Sequence, residues 1–190
     1  CPVSPYGRTK WMAEQILEDY RQAYELSYSC LRYFNAAGAD PDGELGESHM
    51  PETHLIPLVL EAAAGMRESV SIYGTDYPTP DGTCIRDYIH VQDLADAHIR
   101  ALEYLMSGGE SVCLNLGSGK GWSVAQVIDT VRQVTGRDFI VKKEAARAGD
   151  PPALVGSAEL AGKVLGWQPR YGDLQVIVEH AWKWMQRKGY

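Results

Sequence analysis

Paired cysteine motifs are missing from this sequence. Its four cysteines, Cys1, Cys30, Cys84 and Cys113, stand far apart, with neither the spacing of a zinc-ligand pair nor the density of a disulfide framework. Reduced thiols in a cytoplasmic protein are the expectation. No apolar run is long enough to span a bilayer, and no secretory signal pattern is present. Basic excess is lacking too. With 18 Lys and Arg against 25 Asp and Glu, the formal charge is −7, so a polyanion or an anionic membrane meets a repulsive mean field. Neither nucleic acid nor membrane is therefore expected as a partner. Internal repeats and low-complexity linkers are absent as well. What is present is 190 residues at 45% hydrophobic content, enough for a sizeable core in one domain or one and a part. The chain opens on Cys1 rather than methionine, and preceding sequence is expected to have been left out.

Apolar patterning alternates between helical and strand periods. Ser4 can cap a helix whose first turn accepts Pro5. The stripe Trp11, Ala13, Ile16, Leu17, Tyr20 and Tyr24 predicts a face buried against the rest of the fold. Strands are predicted at 29–34, 70–73, 84–91, 111–116 and 139–143, with helices at 57–66, 93–106, 123–135, 157–165 and 173–187. Loops are predicted at 38–46 and 75–82. Ser123 and Gln126 match a capping box, and Gly166 is placed to end a helix. Such alternation indicates an α/β fold.

Several residue groups carry candidate chemistry. Tyr6 and Lys10, four residues apart, share one helical face, so the ammonium can favour the phenolate and make Tyr6 an acid/base; the alternative is a plain surface helix. Asn35 follows a strand and enters a loop, where it is either a ligand contact or a turn cap. Arg86 suits a phosphate, or else a structural pair with Asp87 or Asp93. His90 sits between Ile89 and Val91 and reads as a packed, hydrogen-bonded histidine rather than a base, while Asp93 is expected to cap the next helix. Arg147 and Asp150 suit a phosphate and a ribose, or form a surface ion pair. Gly117-x-Gly-x-Gly is read as a turn rather than a dinucleotide motif, because the next strand ends in two lysines instead of an acid. No metal site is expected, since His49 and His54 lack a partner at a familiar helical spacing.

Four strings occur in order: Ser4-Pro5-Tyr6-Gly7-Arg8-Thr9-Lys10, Leu31-Arg32-Tyr33-Phe34-Asn35-Ala36-Ala37-Gly38-Ala39, the long run from Gly74 to Val91, and Asn115-Leu116-Gly117-Ser118-Gly119. Together they resemble the UDP-glucose 4-epimerases of the extended short-chain dehydrogenase/reductase family, over essentially the whole chain. The resemblance implies the C-terminal part of an NAD-binding Rossmann-type α/β enzyme. Residues 1–40 would end the dinucleotide-binding domain, and 41–190 would form mainly the smaller UDP-sugar domain. It further implies NAD as cofactor, a UDP-sugar as substrate, a homodimer, and interconversion of UDP-galactose and UDP-glucose through a 4-keto intermediate.

By the same resemblance Tyr6 and Lys10 are catalytic and, with Tyr33 and Phe34, contact the cofactor. Asn35, His54, Leu55, Ser71, Ile72, Tyr73, Arg86, Arg147 and Asp150 contact the UDP-sugar. Leu154 falls where the family varies between a bulky and a small residue, a position bearing on N-acetylated sugars. The family's glycine-rich phosphate turn, acidic ribose-binding residue and active-site serine or threonine precede the tyrosine and are not in this sequence. The chain alone is thus expected to be inactive. Two other functions are compatible: another extended-family nucleotide-sugar epimerase or dehydratase, and a non-catalytic nucleotide-sugar-binding module.

Overall fold

A computed structural model describes Pro2 and residues 4–187, leaving Cys1 and its thiol outside the described residues. In chain order the elements are α1 (Pro5–Tyr24), β1 (Ser29–Tyr33), β2 (Asn35–Ala37), α2 (Leu55–Ala63), β3 (Ser69–Tyr73), β4 (Ile85–Arg86), β5 (Tyr88–His90) and α3 (Val91–Met106). There follow β6 (Val112–Leu116), β7 (Trp122–Ser123), α4 (Val124–Thr135), β8 (Ile140–Glu144), β9 (Ala153–Leu154), α5 (Glu159–Leu165) and α6 (Leu174–Arg187). Caps act where the sequence placed them. Ser4 Oγ accepts from the Gly7 amide, Ser123 and Gln126 complete their capping box, and Gly166 ends α5 in the left-handed region.

Parallel pairing dominates, as an α/β fold requires. β1 pairs with β6, β2 with β5 and β3 with β8, all parallel, while β4 lies between antiparallel β7 and parallel β9. The single strand predicted over 84–91 is in fact two. Ile85 and Arg86 pair with β9, whereas Tyr88, Ile89 and His90 pair with β2, so the chain changes sheets at Asp87. β2, β7 and β9 are two- or three-residue strands, too short for a periodic signal.

Two cores hold the elements. Val59 and Leu60 of α2, Val70 and Ile72 of β3, Val127 and Val131 of α4, and Ile177 and Val178 of α6 form the first. Ile89, Leu94, Ala97, Leu114, Leu116 and Trp167 form the second. The Trp167 indole is buried and donates its N–H to the Asp93 carbonyl at 3.0 Å, so its one polar atom is satisfied.

The stripe on α1 departs from expectation: Trp11 is 49% exposed, Ile16 56% and Tyr20 51%, and no residue of the helix is buried. The hydrogen bonds tying α1 to the body run elsewhere on its surface. Arg32 donates through Nε to Glu14 at 2.6 Å, and the Tyr28 hydroxyl donates to Glu18 at 3.0 Å. Periodicity identified an apolar face but could not supply its partner. Among the described residues no helix is long and apolar enough to cross a membrane.

Candidate active site

Tyr6 lies in the first turn of α1, where Pro5 begins the helix and Ser4 caps it. Lys10 Nζ lies 5.3 Å from the centroid of the Tyr6 ring, so the four-residue spacing does place the ammonium beside the phenol. The ring itself is open, at 72% exposure. The Lys10 ammonium and the positive end of the α1 dipole both lie beside this ring.

A cleft of about 690 Å³ opens where β2, α2, α3 and α6 meet; Tyr33, Phe34, Asn35, His54 and Leu55 are on its wall, together with Gly38, Gln92 and Trp184. The α2 N-terminus lies on this wall. His54 is its N-cap, with no side-chain capping bond, and Leu55 its first residue, so the positive end of the dipole borders the cleft. Asn35 donates from Nδ2 to the Asp87 carbonyl at 2.9 Å, which leaves its amide oxygen for a ligand. Tyr6 and Lys10 are not on this wall.

A second group gathers beside β4. Arg86 donates from Nη1 to the carbonyls of Ile85 at 2.7 Å and Pro151 at 2.9 Å, and its Nη2 pairs with Asp150. The expected partners Asp87 and Asp93 are both engaged elsewhere. Arg147 does not pair with Asp150 either; its guanidinium stacks 4.0 Å from the centroid of the Tyr73 ring. Leu154 lies opposite Arg86 in the β4–β9 register. Tyr73, Arg86, Arg147, Asp150 and Leu154 are thus neighbours, offering two cations, an aromatic face and a carboxylate. Ser71 is half-buried one strand position from Ile72, whose side chain turns into the first core and is not available to a ligand.

Asp87 is the residue whose role the sequence did not disclose. Fully buried, its carboxylate accepts from the Ser118 amide at 3.1 Å, the Ser118 hydroxyl at 2.6 Å and the Gly156 amide at 3.1 Å. This clamps the 117–119 turn. A Cβ on Gly117 would come 2.1 Å from the Gly156 carbonyl oxygen, so that glycine serves close chain approach, in keeping with the turn reading. A charge inside an apolar strand string was the signal available.

Asp93 does not cap α3. The helix begins two residues earlier than predicted, and His90 Nδ1 accepts from the Gln92 amide at 3.1 Å as the cap. Asp93, buried at 1% exposure, accepts instead from the amides of Arg170 at 3.0 Å and Tyr171 at 2.9 Å. His90 is the packed, hydrogen-bonded histidine expected of it, with its Nε2 bonded to His180. Burial and the neighbouring His180 push its pKa down to about 4, so it is neutral near pH 7. The Cys30, Cys84 and Cys113 thiols are free, and burial beside Cys113 pushes Cys30 up to about 12, which removes it as a nucleophile. Folding of the 47–54 loop brings Glu52 to both the His49 and His54 rings and Glu47 to His54, a proximity unrelated to helical spacing.

Residues 1–117 match the model of the NAD dependent epimerase/dehydratase family. A UDP-glucose 4-epimerase from Halalkalibacterium halodurans is 55% identical over 183 residues, which cover 96% of this chain and 55% of that protein. One from Rhizobium meliloti is 54% identical over 188 residues, 99% of this chain and 57% of its own length. Among solved structures, UDP-glucose 4-epimerase from Brucella ovis in complex with NAD superposes with a TM-score of 0.92 at 53% identity, covering 96% of this chain and 56% of that one. The Bifidobacterium longum enzyme in complex with NAD+ and UDP gives 0.90 at 37% identity, with 97% and 55% covered. The chain spans little more than half the length of the curated relatives it matches. With Tyr6, Lys10, Asn35 and Arg86 all inside the matched segment, the chain belongs to the NAD dependent epimerase/dehydratase family.

Proposed function

We propose that this chain is the C-terminal part of a UDP-glucose 4-epimerase that interconverts UDP-galactose and UDP-glucose with NAD, acting in the cytoplasm as a homodimer. Residues 1–40 end the dinucleotide-binding domain in this reading, and 41–190 form mainly the UDP-sugar domain. The observation that carries it is the Tyr6–Lys10 pair at the head of α1, with Lys10 Nζ 5.3 Å from the ring centroid. The free thiols support a reducing compartment, and the exposed apolar stripe of α1 supports a further chain surface against it.

The residues present fit the nicotinamide end of the cofactor: an open phenol with a cation beside it, and Tyr33 and Phe34 at the β1–β2 junction. Bound NAD supplies reversible hydride acceptance from the sugar carbon. Tyr6 takes the proton of the sugar 4-hydroxyl on its Oη and returns it after the keto sugar has turned over. Lys10 stabilises the phenolate while that proton is away. Asn35 and the α2 N-terminus orient the sugar nucleotide in the cleft. Arg86 and Arg147 meet the diphosphate, Asp150 accepts from the ribose hydroxyls, and Tyr73 offers its ring to the base.

In the complete enzyme, Tyr6→Phe should lower turnover about 100-fold or more while UDP affinity stays within about twofold, because the ring remains and the proton acceptor is lost. Turnover close to the parent's would overturn the assignment. Loss of UDP binding together with turnover would point to a positioning role for Tyr6 instead.

A further inference from the structure

The loop that leads into α2 gathers four groups of metal-ligating chemistry. The ligand atoms of Glu47, His49, Glu52 and His54 all lie within 4.8 Å of one another. His49 Nδ1 lies 3.7 Å and His54 Nδ1 3.6 Å from the same atom, Glu52 Oε1. His54 Nδ1 also meets Glu47 Oε1, and the two imidazoles stack with centroids 5.5 Å apart at an interplanar angle of 18°. We propose that these four side chains form a binding site for one divalent transition-metal ion of the zinc class.

Geometry supports the assignment. Zinc bonds of about 2.0–2.2 Å to nitrogen and oxygen in a tetrahedron put neighbouring ligand atoms about 3.4 Å apart. The 3.6 and 3.7 Å separations around Glu52 Oε1 are already close to that. Two imidazoles with two carboxylates suit zinc or cobalt, whereas calcium and magnesium prefer an all-oxygen shell. With both rings neutral the set carries two negative charges, which a divalent cation cancels. An ion would also take the place of the hydrogen bond between His54 Nδ1 and Glu47 Oε1.

The ligands are held rather than merely adjacent. Glu52 Oε1 accepts from the backbone amides of Thr53 at 2.7 Å and His54 at 2.8 Å, which fixes its carboxylate against its own loop. Glu47 is anchored by its carbonyl, which accepts from the Trp184 indole at 2.9 Å, and the preceding Gly46 lies flat against that ring. These contacts do for the carboxylates what outer-shell hydrogen bonds do in known metal sites. Because His54 caps α2 and lies on the cleft wall, the ion would tie the 47–54 loop to the rim of the cleft. The proposal shares only His54 with the epimerase reading, and uses neither Tyr6 nor the Arg86 group.

The test uses the chain stripped of metal and titrated with Co2+, then with Zn2+ in competition. One equivalent of Co2+ should bind saturably, with the visible bands of a tetrahedral nitrogen and oxygen shell and no sulfur-to-cobalt charge transfer. His49→Asn and Glu52→Gln should each weaken Zn2+ at least tenfold. Zn2+ should raise the melting temperature of the parent and not of these variants. The glutamine keeps the acceptor for the Thr53 and His54 amides, so its loss of affinity reports ligation rather than loop collapse. Sulfur-to-cobalt charge transfer would place the ion at Cys30, Cys113 and Glu14, whose ligand atoms also cluster, and would overturn the proposal. So would non-saturable uptake, or unchanged affinity in both variants.

Discussion

His90 Nε2 lies 2.9 Å from His180 Nδ1, and the Gln92 amide donates to His90 Nδ1, so both tautomers are set: His90 carries its proton on Nε2 and gives it to His180 Nδ1. The Tyr171 ring packs 4.5 Å from the His90 ring. Gly38 closes the other side, where a Cβ would lie 2.8 Å from His90 Cδ2. Neither imidazole can gain a proton without disturbing this arrangement. Asp40, Glu179 and Lys183 are the charged groups felt there, and burial outweighs them in holding both rings neutral.

A pH dependence follows. The folded His90 pKa, about 4, lies below the ordinary value of 6.5, so between these values the unfolded chain binds a proton that the folded chain does not. Stability is complete above pH 6.5 and falls as pH drops toward 4, by on the order of 3 kcal/mol for His90, with His180 acting in the same direction. Urea midpoints taken from pH 7 to pH 5 should decline, and His90→Gln should flatten the decline. An equally steep decline in that variant would assign it to other groups.

Asp87→Ala should cost about 3 kcal/mol or more, because it strands the half-buried Ser118 amide and the buried Gly156 amide without an acceptor. In thermal denaturation that corresponds to about 6 °C or more for a chain of this size. A shift of a degree would show that water reaches the 117–119 turn and replaces the carboxylate.

Arg86→Leu should weaken UDP about 10- to 150-fold, the equivalent of about 1.5–3 kcal/mol for charge-assisted hydrogen bonds. The substitution also releases the Pro151 carbonyl and Asp150, so circular dichroism must first show the variant folded. Calorimetry with UDP then decides. Parent-like affinity would confine Arg86 to bracing the 150–151 loop.

Ile16→Lys with Tyr20→Lys should suppress concentration-dependent association in sedimentation velocity while leaving unfolding free energy within about 0.5 kcal/mol. Both side chains are more than half exposed, so they contribute little to the core and much to surface stickiness. A large loss of stability would mean that α1 packs more deeply than its exposure indicates.

Long periodic segments were legible in the sequence. The α4 capping box, the Gly166 terminus of α5 and the apolar strings of β1, β3 and β6 all carry their own local signals. Tyr6 and Lys10 were legible for the same reason, since a helix fixes what lies four residues away. Asp87 was not, although it stood in a quoted string, because its acceptors are satisfied 31 and 69 residues downstream. Arg86 had nearby carboxylates in sequence and took Asp150, 64 residues on, because β9 lies beside β4 in the sheet.

Sequence by itself determined the α/β class, the run of principal helices and strands, and the pairing of a tyrosine with a lysine on one helical face. Each depends on interactions spanning a few residues. Tertiary structure alone decided that the 84–91 segment changes sheets at Asp87, that His90 rather than Asp93 begins α3, and that the apolar face of α1 stays open. It also decided that Glu47 and Glu52 converge on His49 and His54. These outcomes turn on which buried donors and acceptors find partners across the fold, and a hydrogen bond between distant residues leaves no periodic trace in the chain that makes it.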